Sequence, residues 1–228
     1  MLTVTILQFT TLAMKGGAYV YYFENYVSKN SLSDFISPII DFLSSIGINF
    51  FGSDPVSAGF GLFNAGGIIF MIIGIGLSKM LADKYGKRNV FGVFLFISTL
   101  FILVFYVLSP DSINLIFGAQ IFHGFFYGIT IPLLWAMIAD VADYSEWKNN
   151  RRATAIIFSA MMVGLKLGLS IGGALVASIL GSYGYVPNSV GEQTESAILG
   201  TKMLVSIFPS IPFLVAVALL FFYIIDKK

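Results

Sequence analysis

The sequence predicts an all-α polytopic membrane protein built from six transmembrane helices. Three observations carry that expectation. Hydrophobic residues make up 57 % of the chain and charged residues 11 %, with a mean hydropathy of +0.87, whereas charged residues approach a quarter of a soluble globular domain. Six stretches, at about 2–23, 56–80, 89–108, 113–139, 153–180 and 203–225, each supply the ~20 mostly apolar residues that a helix needs to cross a bilayer. The runs are continuous and lack the period-two alternation of membrane-spanning strands.

Composition also excludes several classes of function. A net charge of +1 gives no basic field that would attract nucleic acid. Cysteine is absent, which rules out disulfides and thiolate metal sites but identifies no compartment. The N-terminus runs almost directly into apolar sequence, with no basic leader or small-residue cleavage site, so no cleaved signal peptide is expected. Paired intramembrane carboxylates, HExxH and a serine–histidine arrangement are all lacking, so no enzyme is expected.

The connections set the orientation. One side of the membrane would hold Lys79, Lys84, Lys87, Arg88, Lys148, Arg151, Arg152, Lys227 and Lys228. The other would hold only Lys29 and Lys202, with Lys15 and Lys166 inside spans. Basic loops stay in the cytoplasm, so both termini are expected there and the long segment 24–55 outside. Within that segment Phe35, Ile39, Phe42, Leu43 and Ile46 recur at helical spacing, with Asp34, Ser37, Asp41 and Ser44 between them. The pattern fits either an amphipathic helix on the outer leaflet or a partly ordered loop.

The first span carries Lys15, about nine residues from its outer end and within reach of headgroups. Tyr19, Tyr21, Tyr22 and Asn25 follow, and with Asn64 of the second span they offer the aromatic faces and amides that sugars bind. The second and third spans meet at LADKYGKR, residues 81–88. There Gly86 suits a tight turn of positive φ, and Asp83 has cations beside it, Lys84, Lys87 and Arg88, that can pair with it. The string resembles the loop motif of the major facilitator superfamily, except that Lys79 stands where that motif usually has glycine. In the fourth span Gln120, His123, Tyr127 and Thr130 are spaced by three, four and three, which puts them on one helical face. That face suits the wall of a hydrated cavity, although His123 alone is equally a buried histidine bonded to a neighbouring helix. Pro132 is a candidate bend, and Trp135 is either a cavity aromatic or an interfacial anchor.

The stretch 135–166 organises the rest. A hydrophobic helix ends in Asp140, Asp143 and Glu146; a basic turn follows with Lys148, Arg151 and Arg152; a second hydrophobic helix then carries a lone Lys166. Lys166 lies thirteen residues beyond Ala153, about 20 Å of helical rise, which places its ammonium near mid-membrane. A charge there costs roughly 2.5–3.5 kcal/mol, so it has a partner, a job, or a snorkelling path to an interface. Gly164, Gly168 and Gly172 form a small-residue ridge for close helix packing. Lys166 sits about 200° around the helix from that ridge, on the face shared by Ser159, Met162, Ser170 and Gly173.

Taken together, YYFENYV (21–27), LADKYGKR, ADVADYSEWK (139–148) and the lysine-bearing helix followed by GYVPN (184–188) resemble the glycoside–pentoside–hexuronide:cation symporters. These are the melibiose-carrier-like branch of the major facilitator superfamily, and the resemblance covers the C-terminal half of their twelve-helix fold. It implies that the six spans form the C-terminal bundle and that sugar moves with a coupling cation, Na⁺ or H⁺, by alternating access between two bundles. It further implies substrate contacts from Lys166, with Tyr22, Gln120, His123, Tyr127 and Trp135 as candidate lining. An inner gate would be formed by Asp83, Arg88, Asp140, Asp143, Tyr144, Glu146, Arg151 and Arg152. The expected partners are a sugar or glycoside, the cation, membrane lipid and a six-helix N-terminal bundle, in a bacterial inner membrane. The family's cation-binding carboxylates belong to that N-terminal bundle, and no carboxylate at membrane depth replaces them here. No other cofactor and no resident metal are expected. A non-transporting subunit or truncated relic of such a carrier carries the same motifs.

Overall fold

The computed structural model describes residues 1–48, 54–187 and 193–225. Asn188, Lys227 and Lys228, which entered the motif and orientation arguments, lie outside them. The described residues are helical almost throughout: α1 Leu2–Asn25, α2 Lys29–Ser45, α3 Pro55–Tyr85, α4 Lys87–Val104, α5 Ile113–Asn149, α6 Thr154–Ser182, α7 Glu195–Val205 and α8 Ile207–Leu219, closed by a 3-10 turn at Leu220–Phe222. Among the described residues five helical segments are long and apolar enough to cross a membrane: α3, α4, α5, α6 and the pair from Glu195 to Phe222. The chain is an integral membrane protein. The sixth expected span, α1, has 24 residues but is interrupted by Thr5, Gln8, Thr10, Thr11 and Lys15, and it does not reach the same apolarity.

Two boundaries differ most from the sequence expectation. The span expected to end at 139 runs on to Asn149, because nothing in 139–149 breaks a helix and Asn150 supplies a left-handed stop, φ 49°. Pro132 does not interrupt it. The last span begins at Glu195 rather than at 203, and it breaks at Ser206, φ −126° and ψ −82°. Pro209 explains the break: its ring clashes with the carbonyl four residues earlier, at Val205, and it offers that carbonyl no N–H. Side chains brace the chain on either side of the break. Ser206 donates to the Lys202 carbonyl at 2.6 Å, and Thr11 of α1 donates to that of Pro209 at 2.8 Å.

Two helix pairs frame the bundle, α1 on α6 and α3 on α5, and glycine sets both distances. A Cβ at Gly168 or Gly172 would strike the backbone of α1 at Ile6 or Thr10. A Cβ at Gly124, Gly128 or Gly74 would strike a carbonyl of the facing helix, at Gly67, Met71 or Phe125. Helices that approach this closely gain dispersion contacts, the main attraction available in lipid. α4 and α8 close the remaining sides.

α2 forms as a helix, but with a different face inward. Leu32 and Ile36 are buried and Phe35 meets Phe117 at 4.9 Å, while Phe42 and Ile46 are 64 % and 57 % exposed. Its N-terminus is moored by Ser28 N–H to the Pro110 carbonyl, 3.1 Å, and by Ser31 Oγ to Asp111, 2.7 Å.

The interior holds two apolar cores. One contains Tyr19, Tyr22, Phe23, Phe63, Phe105 and Phe117 and lies toward the end of the bundle that carries α2. The other contains Phe91, Leu95, Leu134, Met137 and Phe213 and lies toward the basic loops.

Candidate functional site

Polar residues mark the level between the two cores on four helices. α1 brings Gln8, Thr11 and Lys15, α4 brings Ser98 and Thr99, α5 brings Gln120 and His123, and α8 brings Ser210; all are buried. Tyr127 caps this belt on one side and Tyr19 on the other. Gln8 Nε2 donates to the Tyr127 hydroxyl at 3.3 Å, and the Tyr19 hydroxyl donates to Gln120 Oε1 at 3.1 Å. His123 Nδ1 lies 2.9 Å from Ser98 Oγ and 3.1 Å from the Ser98 carbonyl. Its ring stacks on Tyr127, which stacks on Phe213, each at 5.8 Å.

Lys15 is the unexpected member. The sequence allowed it to reach headgroups, yet it is only 5 % exposed. Its Nζ lies 5.3 Å from the centroid of the Tyr19 ring. Among the described residues no carboxylate lies within ion-pair distance of it. The face of an aromatic ring compensates part of the desolvation of an ammonium, by ~0.5–2 kcal/mol, and a buried charge without a counter-ion is otherwise strongly unfavourable.

The sequence-derived substrate residues therefore separate. Gln120, His123 and Tyr127, expected on a cavity wall, are buried inside the bundle at 8 %, 6 % and 6 % exposure. The reason is α1, whose Gln8 bonds Tyr127 and whose Tyr19 bonds Gln120. Tyr22 is buried in the aromatic core with its hydroxyl unpartnered among the described residues. Trp135 is partly buried beside the second core. Lys166 is exposed, on the far side of α6 from the glycine ridge, and makes no hydrogen bond or ion pair among the described residues. Met162 and Leu167 beside it are 46 % and 48 % exposed.

The gate residues divide as well. At the basic end, Lys87 donates to both oxygens of Asp140, at 2.6 and 2.7 Å. These two residues, with Arg88, Asp143, Tyr144, Trp147 and Ile225, line a cavity of about 430 Å³. Tyr144 and Trp147 pack ring to ring at 5.7 Å, and Arg88 donates to the Phe221 carbonyl at 3.3 Å. Asp83, Glu146, Arg151 and Arg152 are exposed and lie outside this cavity. Lys87 thus serves Asp140 on α5 rather than its loop neighbour Asp83. Gly86, at φ 84°, turns α3 into α4 and aims Lys87 at α5.

The MFS/sugar transport protein family matches residues 42–227. The chain is 33 % identical over 132 residues to a putative glycoside/cation symporter, YagG, of Escherichia coli K12, covering 58 % of this chain and 28 % of that protein. It is 30 % identical over 173 residues to a glucuronide carrier protein homolog of the same strain, covering 74 % and 37 %. It is 32 % identical over 146 residues to the inner membrane symporter YicJ, also of that strain, covering 64 % and 31 %. The chain spans between 28 % and 55 % of the length of the first relatives it matches. The helical membrane architecture, the loop and carboxylate motifs and this match over most of the sequence agree: the chain belongs to the MFS/sugar transport protein family, in its glycoside–pentoside–hexuronide:cation symporter branch.

Proposed function

We propose that this chain forms the C-terminal six-helix half of a sugar:cation symporter of a bacterial inner membrane, and that it works by alternating access against a second bundle. The observation that carries the reading is Lys166. It stands exposed at mid-helix on α6, among exposed apolar side chains, where lipid would charge it roughly 2.5–3.5 kcal/mol. A second bundle laid against that face would supply a carboxylate, a sugar hydroxyl or water instead. α1 serves as the sixth span, its polar stripe turned inward and its other side apolar. With the basic loops in the cytoplasm, the Lys87–Asp140 cavity becomes part of the inner gate, where Asp143, Arg151 and Arg152 have charge free for a partner bundle.

The acids of the described residues stand on α2, in loops and toward the ends of the other helices. We therefore assign the coupling-cation ligands to the second bundle and give Lys166 the task of hydrogen bonding the sugar or pairing with one of those ligands. The names of the relatives, a glycoside symporter and a glucuronide carrier homolog, support a glycoside as substrate class. The test is Lys166→Met in the assembled two-bundle carrier. Coupled uptake should fall at least tenfold with membrane expression unchanged, while Lys166→Arg retains part of it because charge is kept. Normal uptake by Lys166→Met would overturn the assignment.

A further inference from the structure

Two family motifs without a role so far meet at the end of the bundle opposite the basic loops. Tyr21, Glu24 and Asn25 end α1, and Tyr185 and Pro187 follow α6. A cavity of about 430 Å³ opens between them, lined by Tyr21, Glu24, Leu180, Gly181, Tyr185 and Pro187. That lies within the ~300–1,000 Å³ of small-molecule pockets. The Tyr21 and Tyr185 rings meet edge to face at 5.2 Å, and each is partly exposed.

The walls are built rather than incidental. Gly184, at φ 75°, reverses the chain after α6, with Tyr185 N–H on the Leu180 carbonyl at 3.0 Å and Gly184 N–H on that of Gly181 at 3.1 Å. This paired pattern is the glycine-dependent helix stop that fixes the next residue in space. Gln193 then clasps the backbone of Val186, accepting from its N–H at 3.1 Å and donating to its carbonyl at 2.7 Å. Behind the other wall Asn25 donates to the Tyr21 carbonyl at 2.9 Å. Partial burial, with Glu24 and Tyr21 nearby, keeps the Tyr185 hydroxyl protonated above its ordinary range, so it is a hydrogen-bond donor at neutral pH. Glu24 is exposed and has no ion-pair partner among the described residues.

We infer that this cavity is an entry site for a neutral glycoside, the C–H face of its ring against Tyr21 and Tyr185 and its hydroxyls on Glu24 and the Tyr185 hydroxyl. The inference rests on the sugar-transport reading and narrows it. A carboxylate accepts hydrogen bonds from sugar hydroxyls but repels a second anion, so hexuronates and sulfonated sugars are disfavoured here. Gly181 gives the cavity its depth: a Cβ there would meet no atom within 4 Å, and a larger side chain would fill the space without disturbing the fold.

The experiment is saturation-transfer NMR on the full chain in lipid nanodiscs at pH 7, with methyl β-D-galactopyranoside and methyl β-D-glucuronide as probes. The galactoside should bind saturably and at least threefold more tightly than the glucuronide. Gly181→Leu should weaken it at least tenfold with no loss of thermal stability, and Glu24→Gln should narrow the gap between the two probes. Val93→Ala, on the exposed face of α4 toward the basic loops, should leave binding intact. Absence of galactoside binding, equal binding by Gly181→Leu, preference for the glucuronide, or loss of binding in Val93→Ala would each overturn the inference. Loss of uptake in the assembled Lys166→Met carrier would still stand as evidence for the transport reading.

Discussion

Lys87 on α4 and Asp140 on α5 hold a two-pronged ion pair, Nζ to Oδ1 at 2.6 Å and to Oδ2 at 2.7 Å. Both side chains are partly buried, so the pair is screened less than an open surface bridge but remains near the ~0.2–1 kcal/mol of exposed pairs. Lys87→Ala and Asp140→Asn should each lower stability by about 1 kcal/mol, and the double variant should cost less than their sum. A double-mutant cycle by thermal unfolding in detergent reads the coupling; strict additivity would show that the pair contributes nothing.

The α3–α5 crossing gives a sharper contrast. Gly128→Ala sets a methyl against the Met71 backbone, whereas a Cβ at Gly76 meets nothing within 4 Å. Overpacking of this kind costs ~1–3 kcal/mol, and alanine in an unobstructed helix interior gains ~0.5–1 kcal/mol over glycine. The two variants should therefore shift the unfolding midpoint in opposite directions. Equal shifts would contradict the close approach.

Lys15→Met should raise the unfolding midpoint, because it replaces a buried cation lacking a counter-ion with an apolar chain of similar length. A lowered midpoint would mean that the cation–ring contact with Tyr19 outweighs desolvation. Transport by the assembled variant, measured in parallel, shows whether the buried lysine has a role beyond packing.

Much of this architecture was legible in one sequence. Continuous apolar runs pointed to the five helical segments long and apolar enough to cross a membrane, and the glycine ridge on α6 was visible at its four-residue spacing and does pack on α1. The motif residues Asp140, Asp143, Tyr144 and Arg88 converge on one cavity. Hidden features arise where two helices decide together. His123 is identifiable on α5, but whether it faces a cavity or a neighbour depends on α1, whose stripe of Thr5, Gln8, Thr11, Lys15 and Tyr19 is spaced by three or four and was the signal to use. The break at Ser206 was readable too, since Pro209 within an apolar run removes the Val205 hydrogen bond. The α2 face was not, because apolar residues occur on more than one side and only contact with Gly59 and Phe117 selects Leu32, Phe35 and Ile36.

At the opposite end from the gate, hydrogen bonds from Ser31 and Ser28 hold the Asp111 carboxyl below its ordinary value of 3.8. A carboxylate with a depressed folded value adds stability above its unfolded value and loses it as pH falls through the folded one. The mooring of α2 should thus be complete above roughly pH 4 and loosen below it. Hydrogen exchange of the α2 amides between pH 5 and pH 3, corrected for intrinsic rates, should show that step. Asp111→Asn should abolish it, and an identical step in the variant would place the cause elsewhere.

Orientation is open to direct labelling, since the chain has no cysteine. Single cysteines replacing Lys84 or Arg151 should resist an impermeant thiol reagent in intact cells, while one replacing Asp34 should react. Labelling at 84 or 151 from outside would reverse the assignment of the gate cavity to the cytoplasm.

Whether the exposed Lys166 face needs a second bundle is the point on which the functional account turns, and sugar uptake into proteoliposomes measures it. Vesicles holding only this polypeptide, with Na⁺ and proton gradients imposed in turn, should accumulate no glycoside. Vesicles prepared after co-expression with a six-helix N-terminal fragment of a carrier from the same family should accumulate it down one of the gradients, and Lys166→Met should abolish that uptake. Saturable, gradient-driven accumulation by this polypeptide alone would contradict the account.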